Sequence, residues 1–197
     1  MIEQRTKLRE VIICGLFVAL TAILAQVSIP VPPVPFTGQT LAVGITATIL
    51  GSRLSTFSMV GYFALGAAGV PIFSNFTGGL GILVGPTGGF ITGFIFTAFI
   101  TGYILEKTRF TIPLAIVANL IGMFVTLAFG WVQLKFVADL SWTGALAAGV
   151  TPFIPLGIVK AILASWLGIV VRHRLMSAGV LPIQKTKATD VPQSEVV

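Results

Sequence analysis

The stretch 152-PFIPLGIVKAILASWLGIVV-171 holds twenty residues, and Lys160, near its centre, is the single charged one. A helix of about 20 residues, rising 1.5 Å at each, crosses the hydrocarbon core of a bilayer. The run therefore reads as a membrane span with a cation set inside it. Counted from a helix start near Pro152, eight residues place that cation about 12 Å along the helix. A charge there is costly unless it faces a partner, a cavity or a ligand anion. No acidic residue falls in the interior of any apolar segment to pair with it. Three readings of Lys160 follow: contact with an anionic or polar ligand, an internal polar partner, or snorkelling toward the outer interface.

Outward from that stretch, apolar segments are drawn at 10–28, 37–51, 54–69, 87–105, 110–131 and 144–171. Charged residues supply 9% of the 197-residue chain, against roughly 25% in a soluble domain, which removes most water-soluble classes. The first, fourth, fifth and sixth segments are long enough to span, whereas the second and third are short. With the N-terminus in the cytoplasm, Arg5, Lys7, Arg9, Arg53, Lys107, Arg109, Arg172, Arg174, Lys185 and Lys187 lie inside, and only Lys135 lies outside. This bias predicts an all-α integral membrane bundle of six transmembrane helices with both termini cytoplasmic. The apolar stretch after the charged Met1–Glu10 has no small-x-small cleavage site, so it is expected to be a retained first span. Residues 1–175 are expected to form one six-helix membrane domain, and 176–197 a short polar cytoplasmic tail.

Two interruptions stand out. The run 29-IPVPPVPFTG-38 is too proline-rich for helix interior and predicts a loop or re-entrant segment. The run 70-VPIFSNFTGGLGILVGPTGG-89 carries no charge at all. Irregular apolar backbone of that length suits a lid or pocket wall, because such backbone is tolerated at membrane depth where it lines a cavity; an outer loop short of charge is the other reading.

Chemistry is hard to find. Cys14 is the only cysteine, no His/Cys/carboxylate cluster has metal-ligand spacing, and His173 lies between Arg172 and Arg174 at the expected cytoplasmic interface. No nucleophile has a base at usable spacing, and 85-GPTGG-89 lacks the Lys-Ser/Thr ending of a phosphate-binding loop. No catalytic residue, metal or cofactor is expected. The formal net charge of +6 is confined to segments between apolar runs, which argues for lipid contact and topology signals rather than nucleic acid. An energy source for solute movement is not encoded in the chain.

Binding chemistry is better represented. Buried amides require hydrogen-bond partners, so Gln39, just after the proline-rich run, and Asn75, in the uncharged run, suit either a ligand or one another. Asn119 reads as a bond between helices and Gln133 as an outer-interface residue. Trp131 and Trp142 suit interfacial anchoring, and Trp166, six residues after Lys160, lies on another face of its helix. Gly89 and Gly93, and likewise Gly15 and Ala19, form small-x-x-x-small faces, which serve packing within the subunit or docking of another membrane protein.

The segments 38-GQTLAV-43, 78-GGLGILVGPTGGFITGF-94 and 152-PFIPLGIVKA-161, in this order, resemble the BioY family, the substrate-binding subunits of energy-coupling-factor biotin transporters. The likeness covers about residues 10–175. It implies high-affinity capture of biotin from outside, with a transmembrane coupling subunit and two cytoplasmic ATPases as partners. It also implies a pocket near the outer surface built from Asn75, Gly78, Gly79 and Lys160, with Gln39 adding orientation and the Gly15/Ala19 face serving partner docking. The family pattern before the lysine reads proline, glycine, aspartate and two apolar residues. Here Pro155, Leu156, Gly157, Ile158 and Val159 stand in those places, so the aspartate is absent. Capture of a related vitamin, lipoate or dethiobiotin, is one alternative. A secondary transporter is the other, although no midplane carboxylate marks a coupling-ion site.

Overall fold

The computed structural model describes residues 2–181, with side chains from Lys7 onward. Lys185, Lys187 and the rest of the tail at 182–197, together with the side chain of Arg5, lie outside the described residues. The chain runs through α1 (Ile2–Gln26), a two-stranded antiparallel hairpin of β1 (Ser28–Ile29) and β2 (Phe36–Thr37), α2 (Gln39–Leu50) and α3 (Ser52–Ala67). A 3₁₀ turn at Ser74–Phe76 leads to the short α4 (Leu80–Leu83), followed by α5 (Gly88–Lys107), α6 (Ile112–Val137), α7 (Trp142–Gly149) and α8 (Phe153–Ser177).

Among the described residues, four helices are long and apolar enough to cross a membrane: Lys7–Gln26 within α1, then α5, α6 and α8. α2 has 12 residues and α3 has 16. At 1.5 Å per residue, α2 covers about 18 Å. The large side chains left exposed, including Leu16, Ile23, Phe57, Phe124 and Trp166, are apolar and distributed over α1, α3, α6 and α8. In water such a surface would aggregate; in lipid it meets an equally apolar solvent.

The sequence expects one apolar segment over 144–171, and the structure breaks it at 150–152. Pro152 disfavours helical backbone at Thr151, so α7 ends and α8 starts afresh. Pro155 falls in the first turn of α8, where its missing N–H removes no intrahelical bond. The proline-rich run forms the hairpin: Ser28 pairs with Thr37 and Ile29 with Phe36, closing the loop between them.

The most extensive helix pairing is α5 on α6, followed by α2 on α8. Gly89 and Gly93 both face α6: a Cβ added at Gly93 would lie 3.1 Å from Thr126 Cα, and one at Gly89 would lie 2.7 Å from Gln133 Cβ. This pair therefore serves packing within the subunit. Thr97 Oγ1 donates to Gly122 O at 2.8 Å and lies 2.7 Å from Thr126 Oγ1, while Thr101 donates to Ala118 O at 3.2 Å. Such threonine bonds hold apolar helices together where the hydrophobic effect between them is absent.

At the end of the bundle where α2 meets α3, Glu106 accepts from Ser52 N at 2.8 Å and from Ser52 Oγ at 2.6 Å, which satisfies an orphan amide at the start of α3. Nearby, the Arg172 guanidinium lies 3.5 Å over the Phe110 ring and donates to Ile49 O. Beyond α8, Leu181 packs with Ile13, Ile49 and Leu50.

Candidate functional site: a cavity between α2, α5, α6 and α8

α2 and α8 lie tightly together at one end and part at the other. A Cβ added at Gly168 would approach Thr48 Cβ to 2.6 Å. One to three turns earlier along α8, Ala164, Ala161, Lys160 and Gly157 line a cavity. Its other walls are the β-hairpin at Val34, Pro35 and Thr37, the α2 face at Gln39, Thr40 and Val43, and α5 and α6. Aromatic surface dominates one side: Phe153 stacks at 4.4 Å between centroids on Phe36 and at 6.0 Å on Phe90, with Phe94 also in the wall. Such a wall takes an apolar ring or chain out of water, and a few polar groups fix its orientation.

Lys160 faces this cavity from α8. Its ammonium donates to Thr37 O at 2.6 Å and lies 3.3 Å from Thr40 Oγ1. No carboxylate lines the cavity among the described residues, so the cation has neutral partners only. Of the three sequence readings, the structure shows an internal polar partner and a cavity-facing ammonium in the same side chain.

Gln39 is the second predicted residue that lines the cavity, and it is buried. Its Nε2 donates to Tyr62 Oη at 2.7 Å, Tyr62 donates on to Ile72 O at 2.9 Å, and its Oε1 accepts from Thr37 Oγ1 at 2.8 Å. This relay joins the hairpin, α2 and α3 to the uncharged segment.

That segment folds back onto the bundle. Phe73 is fully buried edge-on to Tyr62 at 5.4 Å. Gln26 donates to Phe73 O at 3.1 Å and accepts from Phe76 N at 2.9 Å, while Gln133 donates to Leu83 O at 2.7 Å and to Gly85 O at 2.8 Å. Gln133 is thus a strut under the segment rather than a plain interface residue. Ser74 and Thr87, near the two ends, reach the cavity. Asn75 does not line it: the residue is exposed, in left-handed backbone at φ 56°, one position from Ser74. Gly78 and Gly79 also stand outside the lining. Gly78 lies so close to the Val70 carbonyl that a side chain would collide with it, and Gly79, at φ 95°, donates to Gly66 O at 2.7 Å. The structure therefore brings Lys160 and Gln39 together and sets Asn75, Gly78 and Gly79 in the adjoining segment.

Gly157 lines the cavity beside Met123, and a Cβ at 157 would run into the Met123 thioether. Asn119 bonds helices together as the sequence suggests, donating to Thr48 Oγ1 at 2.9 Å and Ser165 Oγ at 3.0 Å, yet it also lines the cavity. Trp131 donates to Trp142 O at 3.0 Å, with the two rings edge-on at 5.1 Å. Gly15 and Ala19 are exposed on α1, and a Cβ at Gly15 would meet nothing within 4 Å.

A helical bundle with an apolar exterior and an aromatic-walled cavity holding a lysine defines a membrane-embedded ligand-binding protein, with no metal-binding group among the described residues. The family follows from comparison: the BioY family profile matches residues 1–177, and the chain belongs to that family. It is 39% identical to biotin transporter BioY2 of Lactococcus lactis subsp. cremoris, over 84% of this chain and 91% of that protein. It is 37% identical to biotin transporter BioY of Thermotoga maritima, over 82% and 95%. The crystal structure of an S-component for biotin from an ECF-type ABC transporter superposes with a TM-score of 0.80 at 25% identity, covering 86% of this chain and 93% of that one.

Proposed function

We propose that this protein is the high-affinity membrane capture subunit for biotin of an energy-coupling-factor transporter. The observation that carries the reading is Lys160, a cation in an aromatic-walled, carboxylate-free cavity of a BioY-family bundle. The ammonium exchanges the Thr37 carbonyl for the polar end of the vitamin, a charge-assisted contact, while Phe90, Phe94 and Phe153 cover the ring and aliphatic chain. Gln39 orients the ligand from α2. Asn75, Gly78 and Gly79 act through the 70–87 segment, whose Ser74 reaches the cavity, and ordering of that segment over the ligand signals occupancy.

In this reading α2 and α3 complete six spans, residues 1–175 form the membrane domain, the 176–197 tail is cytoplasmic and both termini are inside. A transmembrane coupling subunit docks on the open Gly15/Ala19 face of α1, and two cytoplasmic ATPases supply the energy. The multi-pass chain itself binds and presents; it catalyses nothing.

The test is equilibrium binding of biotin, dethiobiotin and lipoate to the detergent-purified protein beside Lys160→Ala. Selective biotin binding, weakened by at least tenfold in the variant, is the expected result. Saturable binding of lipoate in preference to biotin would transfer the reading to that vitamin, and binding of none of the three would overturn it.

A further inference from the structure

We propose that the side-chain oxygen of Asn119 is a ligand acceptor at the floor of the cavity, receiving an N–H of the ligand's ureide ring. The inference rests on the biotin reading above and adds a specificity-determining residue to it.

Asn119 is 5% exposed on α6 and lines the cavity together with Gly44 and Ala164. The two N–H groups of its amide nitrogen are shared among Ala115 O at 3.0 Å, Thr48 Oγ1 at 2.9 Å and Ser165 Oγ at 3.0 Å. All three partners can only accept. Ala115 offers a carbonyl; Thr48 commits its hydroxyl proton to Gly44 O at 2.8 Å, and Ser165 commits its own to Ala161 O at 2.6 Å. The amide is therefore locked with nitrogen toward these groups and oxygen the other way, since a flipped amide would face three acceptors with a fourth.

Among the described residues no donor reaches Asn119 Oδ1. The position opposite it is Gly44, where a Cβ would lie 2.6 Å from Oδ1 and 2.8 Å from Ala164 Cβ. Glycine at 44 lets α2 pack against this oxygen, and Asn119 Oδ1 is not among the fully enclosed polar atoms left without a partner, so it keeps an opening onto the cavity that Asn119 lines. An amide oxygen that no protein donor satisfies is unfavourable, and Thr48 of α2 and Ser165 of α8 accept from the amide nitrogen and so aim this one.

The chemistry of the ligand group follows. A neutral carbonyl oxygen in an apolar cavity accepts from a neutral N–H and repels an anion. Gly157 on α8 offers no side-chain acceptor, and Met123 fills the space beside it, so the amide acceptor on this side of the cavity comes from α6.

The test is a cycle of protein and ligand: biotin and its two ureide N-methyl derivatives, titrated against the parent protein and Asn119→Leu. On biotin the variant is expected to lose about tenfold or more in affinity. On the derivative methylated at the bonded nitrogen it is expected to lose less than about twofold, because no N–H remains to lose. An equal loss on all three ligands, or none on biotin, would overturn the assignment. If Asn119→Leu does not yield folded protein, Asn119→Ala, which removes the same oxygen without adding bulk, takes its place, and the same selective loss is required of it. Failure of the parent to bind biotin at all is a separate outcome and overturns the underlying reading.

Discussion

The α5–α6 seam and the α2–α8 seam are both built from small residues and threonine or asparagine hydrogen bonds, yet one is closed and the other opens into a cavity. Along α5–α6, Gly89 and Gly93 from one helix and Gly122 from the other keep the backbones close, with Thr97, Thr101 and Thr126 bonded across. Along α2–α8 the same device works only at Gly168 on Thr48 and at Gly44 on Ala164. Beyond Ala161, α8 presents Lys160, which reaches across to Thr37 O and Thr40 Oγ1, and then Phe153, which packs on Phe36 and Phe90. Small side chains close one seam in lipid, and a long cation bridges the wider one.

The sharpest way to break this contrast is to overfill the closed seam. Gly122→Leu drives a side chain into Thr101 and Thr97; a loss of about 3 kcal/mol is expected, read as a lowered melting temperature in detergent with all ligand affinity falling as a consequence. Truncating the lysine that bridges the open seam separates binding from stability. Lys160→Ala is expected to keep the melting temperature of the unliganded protein within a few degrees while biotin affinity falls about tenfold to a hundredfold. Gly157→Ala pushes the Met123 thioether across the cavity, and a decrease of about fivefold in affinity is expected, recovered when Met123→Ala is added. The smallest effect belongs to the strut outside both seams. Gln133→Leu frees the Leu83 and Gly85 carbonyls, costing less than about 1 kcal/mol globally, with faster amide hydrogen exchange confined to 80–88 as the readout.

The six main helices were legible because each is a predominantly apolar run, and the structure places their ends within a few residues of those runs except in α1, which begins earlier, α6, which continues to Val137, and α8, which starts at Phe153 and continues to Ser177. The break before α8 was visible in Pro152 but masked by apolar residues on both sides. Lys160 was legible because a charge inside a span demands a reason, and Gln39 because an amide follows a proline-rich entry. The partners of Gln26, Gln133 and Asn119 were not legible. Gln133 holds carbonyls 48 and 50 positions away and Asn119 a hydroxyl 71 away, and no periodicity in a sequence encodes such meetings. The uncharged segment was recognisable as irregular and apolar; that Ser74 rather than Asn75 reaches the cavity depends on a left-handed turn that composition does not reveal.

The pairing of α2 with α8 also sets an order for biogenesis. α2 is a 12-residue helix that leaves the ribosome more than a hundred residues before the element it packs on most extensively, and about 18 Å of helix is a poor independent insertion signal. Thr48 and the lining face of α2 must therefore wait, held by α1 and α3, until the last helix is delivered to the bilayer. Biotin capture becomes available only at that final step, so a nascent chain halted before Pro152 carries most of the membrane segments and none of the binding function.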